Sequence, residues 1–515
     1  MCAIVLMTQS RSLGYAESTS LLFGLCIGPG LLMLPSLFQS AGFVWTSIAL
    51  AITGLFAFSS CWMLLYSQAR LSKASGNKVH FLLLCRDIFP DSVFRFVASL
   101  FTLSLSMMSL GGMLQVTLAM DYFITNYFGS VCGVQLYPLD WICTDSGSQL
   151  FSGGSIVISE GYIASVLLIA PMSLFRHEAI RMMHVILHVA LLHVLLWLCL
   201  VVSSDFDSSR VPVLGSSFST SKLLGTCFFS FTVAIAVPTW NTERLLTTGA
   251  KRTLALAMAS ATAVMVVVGY ILACSGDDLV GNLIESFGMK QSFGAIACIT
   301  FLSIIEHTCS LPVISVMLYH TVSIVHDGHG TKVFIAQLAG TVIPWLAVIP
   351  LYPGGPLVEI VEYGGLFFTC VTCFVIPPML FIHALREASA LRVFDISVAD
   401  TNEEQLLLFE SIKMHVNVDE RDMLNEQFPV ISSSREIFIA YSVAVIQLGL
   451  AISSLLICLV STLGLVKHES HWKFFSSNSN FCHTNLVCRV AYLAPLHVCI
   501  VNVLLVIAYR AGLRE

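Results

Sequence analysis

Charged residues are scarce in this chain of 515 residues. Asp, Glu, Lys and Arg make up only 11% of the sequence, whereas 56% is hydrophobic and the mean hydropathy is +0.85. A surface that faces water on all sides needs more charge, so the composition excludes a water-soluble globular protein and predicts a polytopic membrane protein. The lipid bilayer is therefore an expected partner, and no nucleic acid is expected.

Several sequence signals of other protein classes are also missing. The seventeen cysteines include no pair of CxxC motifs spaced for zinc, and most lie inside apolar stretches, where cysteine packs as a small hydrophobe. The residues before Ser20 are too few and too polar for a cleaved signal peptide. No cofactor and no metal site are predicted.

Long apolar runs are what the sequence has instead. A membrane-spanning helix needs about 20 apolar residues. Windows of that length predict twelve spans, near 20–42, 44–67, 94–124, 161–175, 182–202, 221–240, 253–274, 292–319, 332–350, 356–383, 436–464 and 489–509.

The basic residues predict the orientation of these spans. With the N-terminus in the cytoplasm, nineteen of the 25 Lys and Arg residues fall on the inner side and six on the outer side. Cytoplasmic loops carry an excess of Lys and Arg, so the bias supports twelve spans with both termini inside.

The first span contains its own interruption. Residues 20–42 read SLLFGLCIGPGLLMLPSLFQSAG, with Gly28, Pro29 and Gly30 in the middle. Proline lacks an amide donor and clashes with the preceding turn, so the helix is expected to break there. Unpaired backbone at membrane depth is tolerated where it lines a cavity, which favours a ligand site, but a proline-kinked packing helix is the alternative.

The sixth span, residues 221–240, is also interrupted, and Pro238 lies near its end. Two broken helices five spans apart are typical of a transporter built from two five-helix inverted repeats. The predicted domains are a cytoplasmic N-terminus (1–19), a first repeat (20–203), a second repeat (221–383), an acidic cytoplasmic loop (384–435), and C-terminal spans and tail (436–515).

Two loops carry predictions of their own. The outer loop 129–160 holds Cys132 and Cys143, which either form a disulfide in an oxidising space or remain free thiols. The acidic loop 384–435 is either a regulatory surface that binds a cytoplasmic partner or a passive linker.

The motifs resemble those of the amino acid/auxin permease family, within the amino acid–polyamine–organocation group. GLCIGPGLLMLPSLFQSAG in the first span resembles its opening signature, and FFSFTVAIAVPTWNTER in the sixth resembles its F-A-F…V-L-P-x-x-x-E pattern. The ending of the fourth span, from Ala170 to Arg176, is similar to its P-L-S-L-x-R ending. The resemblance covers about residues 20–383. Asp121, near the end of the third span, matches the family pattern more weakly.

This resemblance implies a leucine-transporter type of fold, with an amino acid bound between the breaks of spans one and six and driven by protons or sodium. It places substrate against the backbone of the first break and against the sixth span, and a sodium-like site in span eight. The implied residues are Gly28, Pro29 and Gly30; Phe231, Thr232 and Ala234; and Ser310.

Three positions depart from the pattern of the family. Gly24 stands where sodium-coupled relatives carry Asn, and no His occurs early in the first span, where proton-coupled relatives tend to place one. Gln115 stands near a position often occupied by Tyr, and we include it in the predicted substrate site. The identity of the coupling ion therefore stays open.

Ionisable residues inside membrane spans require a structural or functional explanation, because a charge at the bilayer centre costs at least ~2.5 kcal/mol. Glu306 lies in the middle of span eight, beside His307 and one turn before Ser310. We interpret Glu306, Ser310 and the Gly24 position as the coupling site, with Glu306 carrying a proton; a structural hydrogen bond is the alternative. A stripe of three histidines in span five is interpreted as packing rather than a relay: His177, His184 and His188.

The predicted function is a secondary active transporter of amino acids or related amino compounds, in the plasma membrane or a vacuolar or lysosomal membrane. A transporter-like sensor that signals through residues 384–435 is the second hypothesis. An enzyme that uses Glu306 and His307 is the weakest, because no nucleophile or metal motif accompanies them.

Overall fold

The computed structural model describes most of the chain between residues 13 and 462. The described residues are 13–27, 30–71, 80–146, 150–151, 156–171, 177–215, 220–245, 247–276, 279, 282–289, 293–325, 342–352, 362–386 and 434–462.

Helices dominate the described residues. They are α1 (Tyr15–Cys26), α2 (Leu34–Ala41), α3 (Phe43–Leu71), α4 (Phe81–Ile88), α5 (Asp91–Phe128), α6 (Glu160–Ile169), α7 (His177–Val202), α8 (Thr220–Ser230), α9 (Val237–Glu243), α10 (Ala250–Ser275), α11 (Leu283–Met289), α12 (Phe293–Val325), α13 (Ile343–Val348), α14 (Gly364–Arg386) and α15 (Ser434–Thr462).

Seven of the described helices are long and apolar enough to cross a membrane: α3, α5, α7, α10, α12, α14 and α15. The pair α1 and α2 forms an eighth span that bends by 45°. These helices coincide with predicted spans one, two, three, five, seven, eight, ten and eleven. The prediction of a polytopic helical membrane protein is therefore confirmed.

The interruptions predicted in spans one and six are both present. A 3₁₀ turn, Leu31–Met33, separates α1 from α2, and another, Thr232–Ile235, separates α8 from α9. Each second half begins with a proline in its first turn, Pro35 in α2 and Pro238 in α9. Proline is tolerated there because the first-turn amides of a helix have no helical partner.

The outer half of the first span is fixed to α10. The side chain of Gln39 donates to the carbonyls of Ala273 and Gly276, each at 2.7 Å, and its oxygen accepts from the amide of Leu279 at 2.8 Å. These bonds satisfy carbonyls at the C-terminal end of α10, which otherwise have no helical partner. The half-helix after the first break is thus anchored on a continuous helix.

Helices α5 and α12 form an antiparallel pair. Thr300 of α12 donates to the carbonyl of Ala119 in α5 at 3.0 Å, and further along the pair His307 packs on Gly112. A side-chain carbon at Gly112 would collide with the His307 ring, so glycine permits the close approach of the two helices.

The outer segment after α5 is a sheet and not the loop that its sequence predicts. Strands β1 (Ser130–Leu136), β2 (Leu139–Asp145) and β3 (Val157–Ser159) pair antiparallel in the order β2-β1-β3. Cys132 faces Cys143 in the β1–β2 ladder, and the two form a disulfide. The alternative of two free thiols is therefore wrong in this structure.

Some predicted segments lie outside the described residues. They are Gly28 and Pro29, most of the ninth span, most of the acidic loop 384–435 and the twelfth span. The proposed domain boundaries and the count of twelve spans stay predictions.

Candidate functional site

The two interrupted spans meet at Gly30. A side-chain carbon at this glycine would collide with the hydroxyl of Ser230, the last residue of α8, and would lie 3.2 Å from the carbonyl of Thr226. The Ser230 hydroxyl donates to that carbonyl at 2.9 Å. Gly30 adopts an ordinary right-handed conformation, so glycine is needed here for the close approach rather than for its backbone freedom.

The predicted residues of the sixth-span break are all buried: Phe231, Thr232 and Ala234. The Phe231 ring lies 3.3 Å from where a side-chain carbon at Gly54 of α3 would stand. The carbonyl of Thr232 accepts a hydrogen bond from the thiol of Cys373 in α14 at 3.7 Å. The break is therefore supported by α3 on one side and α14 on the other.

Gly24 lies within α1, before the first break. A side-chain carbon there would meet nothing within 4 Å. Space for a larger side chain thus exists at the position where sodium-coupled relatives were expected to carry Asn, and this chain leaves that space without a side-chain oxygen.

The predicted residues Gln115 and Glu306 come together between α5 and α12. The amide nitrogen of Gln115 lies 3.4 Å from Glu306 Oε2 and 3.4 Å from the hydroxyl of Ser303. Gln115 and Ser303 are fully buried, and Glu306 is 3% exposed. A carboxyl group so deeply buried, with one long hydrogen bond, is unusual unless it carries a proton or meets a ligand.

Three acceptor atoms of this cluster have no hydrogen-bond partner among the described residues. They are Glu306 Oε1, Gln115 Oε1 and His307 Nε2. His307 Nδ1 lies 2.9 Å from the carbonyl of Ser303, which can only accept, so Nδ1 carries the hydrogen and neutral Nε2 presents its lone pair. The cluster has more hydrogen-bond acceptors than donors. A proton bound to one of these acceptors would supply the missing donor.

Ser310 uses its hydroxyl within its own helix. The hydroxyl donates to the carbonyl of Glu306 at 3.1 Å. Ser310 and Glu306 therefore lie on one face of α12, as their spacing of four residues predicted.

A second buried carboxylate is Asp121 near the outer end of α5, for which the family resemblance is weak. Ser159 donates to Asp121 at 2.6 Å, the amide of Gly161 donates at 2.7 Å, and the Tyr352 hydroxyl also donates to it. Burial and the adjacent carboxylate raise the pKa of Tyr352 above its usual value, so the phenol keeps the proton that it donates. Asp121 thereby joins α5, the start of α6 and the turn after α13.

Arg244 organises the end of the sixth span that is predicted to be cytoplasmic. This arginine is 1% exposed; it donates to Asn241 at 2.7 Å and to the carbonyl of Thr248 at 2.6 Å. Beside it, Leu13 exchanges backbone hydrogen bonds with Glu243 at 3.1 Å and Leu245 at 2.9 Å. The chain before α1 is thus attached to the end of α9.

Of the predicted histidine stripe, His188 is the member whose side chain is described. Its ring packs edge-on against Phe23 of α1, with centroids 4.3 Å apart. The side chains of His177 and His184 lie outside the described residues.

Comparison with known families points to permeases. A sequence model of the tryptophan/tyrosine permease family matches residues 11–130, which include the first broken span and α5. This match covers about a quarter of the chain. Among curated proteins, no sequence matches the chain.

Comparison with solved structures identifies the fold. Mhp1, a nucleobase-cation-symport-1 family transporter crystallised in a closed conformation, aligns with a TM-score of 0.51 at 13% identity over 84% of this chain and 96% of its own. The chain has the leucine-transporter fold. A manganese transporter of Eremococcus coleocola aligns at 10% identity over 89% of this chain and 99% of its own; its TM-score of 0.47 is too low to support an argument.

The permease match and the transporter fold indicate a membrane transporter rather than an enzyme. The match is to the tryptophan/tyrosine permeases, so the resemblance to amino acid/auxin permeases stays a prediction. The division into two five-helix repeats also stays a prediction.

Proposed function

We propose that this protein is a secondary active transporter that moves amino acids or related small amino compounds by alternating access. The observation that carries the proposal is the meeting of two interrupted spans at Gly30 and Ser230. Interrupted helices place backbone carbonyls and amides, which no helix satisfies, at the depth where a substrate binds. A solute site at that point is alternately exposed when the surrounding helices move.

The class of substrate follows from the resemblances. Tryptophan/tyrosine permeases and amino acid/auxin permeases both bear the names of amino compounds, and the first of them matches the part of the chain that contains the first break. Aromatic amino acids are therefore the first substrates to test.

The substrate site comprises the breaks and the side chains beside them. The backbone of Gly28, Pro29 and Gly30 meets the substrate carboxylate. The amide hydrogens at the start of the half-helix that follows attract this anion, and Pro29 itself contributes no amide donor. The sixth-span break forms the opposite wall through Phe231, Thr232 and Ala234, and Gln115 contributes from α5.

Glu306 carries the coupled proton. Its burial and its surplus of neighbouring acceptors favour a protonated carboxyl, and release of that proton is favoured only when the surroundings change. The site suits a sodium ion less well than a proton, because a hard cation needs several oxygen ligands. Ser310 uses its hydroxyl within α12, and Gly24 supplies no side-chain oxygen.

Substitution of Gly30 tests the substrate site. Gly30→Leu places a side chain against Ser230, so uptake should be abolished, while membrane insertion is preserved because leucine favours it. Gly449→Leu in α15 is the matched control, because this glycine is exposed and a side-chain carbon there meets nothing within 4 Å. Radiolabelled tryptophan and tyrosine uptake into proteoliposomes is the measurement, and normal uptake by Gly30→Leu would remove the proposed site.

Substitution of Glu306 tests the coupling. Wild-type uptake should rise as the outer side is acidified. Glu306→Gln preserves shape but cannot release a proton, so it should lose concentrative uptake and retain substrate exchange. Accumulation by the Gln variant under an imposed proton gradient, or accumulation by the wild type with sodium alone, contradicts proton coupling by Glu306.

A further inference from the structure

A cavity lies at the predicted cytoplasmic end of the molecule, between α1, α9 and α12. Leu21 and Leu25 of α1, Thr239 and Trp240 of α9, and Met317 and His320 of α12 line it. The indole nitrogen of Trp240 is buried and has no hydrogen-bond partner among the described residues. Besides this indole, Thr239, Glu243 and His320 are the polar residues of the lining.

The face of α12 that carries Glu306 leads into this cavity. Positions 306, 310, 313, 317 and 320 are spaced by four and three residues, so they form one stripe along the helix. Val313, Met317 and His320 of this stripe line the cavity. The rise of the helix puts His320 about 21 Å from Glu306, with Ser310 between them.

A second histidine packs against His320, at the end of this stripe. The rings of His80, which precedes α4, and His320 stack with centroids 4.5 Å apart. His80 Nδ1 also lies 3.2 Å from the hydroxyl of Thr239 in the cavity wall. Among the described residues around the cavity, Glu243 of α9 is the other titratable group, and α1 contributes apolar side chains.

We propose that this cavity and the stacked pair His80–His320 form the release path by which the proton carried by Glu306 reaches the cytoplasm. The inference rests on the proposed coupling by Glu306. The proton leaves the Glu306 carboxyl, passes along water held by the hydroxyls of Ser310 and Thr239, and binds a ring nitrogen of the histidine pair. From there it enters the cytoplasmic solution, and the neutral pair is restored.

The pH of the interior of proteoliposomes tests the path. Neutral histidine accepts a proton and protonated histidine does not. With the pH difference across the membrane held constant, the initial rate of wild-type uptake should therefore fall several-fold as the internal pH is lowered from neutral. The double variant His80→Phe/His320→Phe preserves stacking but cannot titrate. It should take up substrate several-fold more slowly at neutral internal pH, lose this dependence on internal pH and keep exchange. His193→Phe, at an exposed position on α7, is the matched control and should resemble the wild type.

The outcomes separate the two proposals. A double variant that keeps the wild-type internal-pH dependence overturns the release path, even where Glu306→Gln behaves as expected. Accumulation by Glu306→Gln overturns the coupling itself.

A measurement that needs no transport tests water access. Val316→Cys places a thiol in the cavity wall. A membrane-impermeant thiol reagent, followed by site-resolved mass spectrometry, should modify it from the cytoplasmic side and not from the outer side. Protection from both sides would show that the cavity is closed to water and would overturn the path.

Discussion

Asp121 and Glu306 are both buried carboxyl groups, on two helices that pack against each other, and their surroundings are opposite. Asp121 accepts hydrogen bonds from Ser159, Gly161 and Tyr352, so a charge on it is compensated from three directions. Glu306 meets one hydrogen-bond donor at 3.4 Å. Its second oxygen lies 3.7 Å from His307 Nδ1, beyond hydrogen-bond distance, and has no hydrogen-bond partner among the described residues.

On the proposed coupling, this difference separates a structural carboxylate from a functional one. A carboxylate that receives several hydrogen bonds holds the segments that donate them together and so stabilises the fold. A carboxyl group with too few donors is costly when charged and becomes neutral by binding a proton. Burial alone does not distinguish the two residues, because both are almost fully buried.

The largest expected effect comes from removal of the satisfied carboxylate. Asp121→Ala leaves the hydroxyls of Ser159 and Tyr352 and the amide of Gly161 buried without an acceptor. At about 1–3 kcal/mol for each such donor, we expect a loss of roughly 3–5 kcal/mol in the free energy of unfolding. Thermal unfolding in detergent measures it, and a variant as stable as the wild type would mean that the hydrogen bonds contribute little.

A smaller loss is expected at Ser159. Its hydroxyl donates to Asp121 and also accepts from the amide of Tyr162 at the start of α6. Ser159→Ala removes both bonds and should cost about 2 kcal/mol. Ser165→Ala is the matched control, because that hydroxyl bonds only to the Gly161 carbonyl of its own helix, and it should cost less than about 0.5 kcal/mol.

The smallest effect on stability is expected at Glu306. Glu306→Met replaces an under-satisfied carboxyl with an apolar side chain of similar size, a change that is often neutral or stabilising at buried charged sites. The free energy of unfolding should change by less than about 1 kcal/mol, although coupled transport is lost. A destabilisation as large as that of Asp121→Ala would place Glu306 among the structural carboxylates.

The sequence contained enough information to locate the interrupted spans. Pro29, Pro35 and Pro238 each lack the amide donor that a continuous helix needs, so their effect does not depend on distant residues. Glu306 was recognisable for a related reason, since any carboxyl group in the middle of an apolar helix demands an explanation.

Contacts between distant segments were not predictable in the same way. Ser230 opposes Gly30 across 200 residues of chain, and His80 stacks on His320 across 240. The donors to Asp121 come from a strand end and a turn that no periodicity marks. The sheet at 130–159 was not predicted, because its strands are short and lie between two long helices.

The attachment of Leu13 to the end of α9 constrains how α1 can move. Two backbone hydrogen bonds hold the chain before α1 to Glu243 and Leu245. A movement of α1 alone must break both bonds, whereas a movement of α1 together with α9 keeps them. The half-helices α1 and α9 then move together, and the bending falls on the described 3₁₀ turns that interrupt the two spans, Leu31–Met33 and Thr232–Ile235.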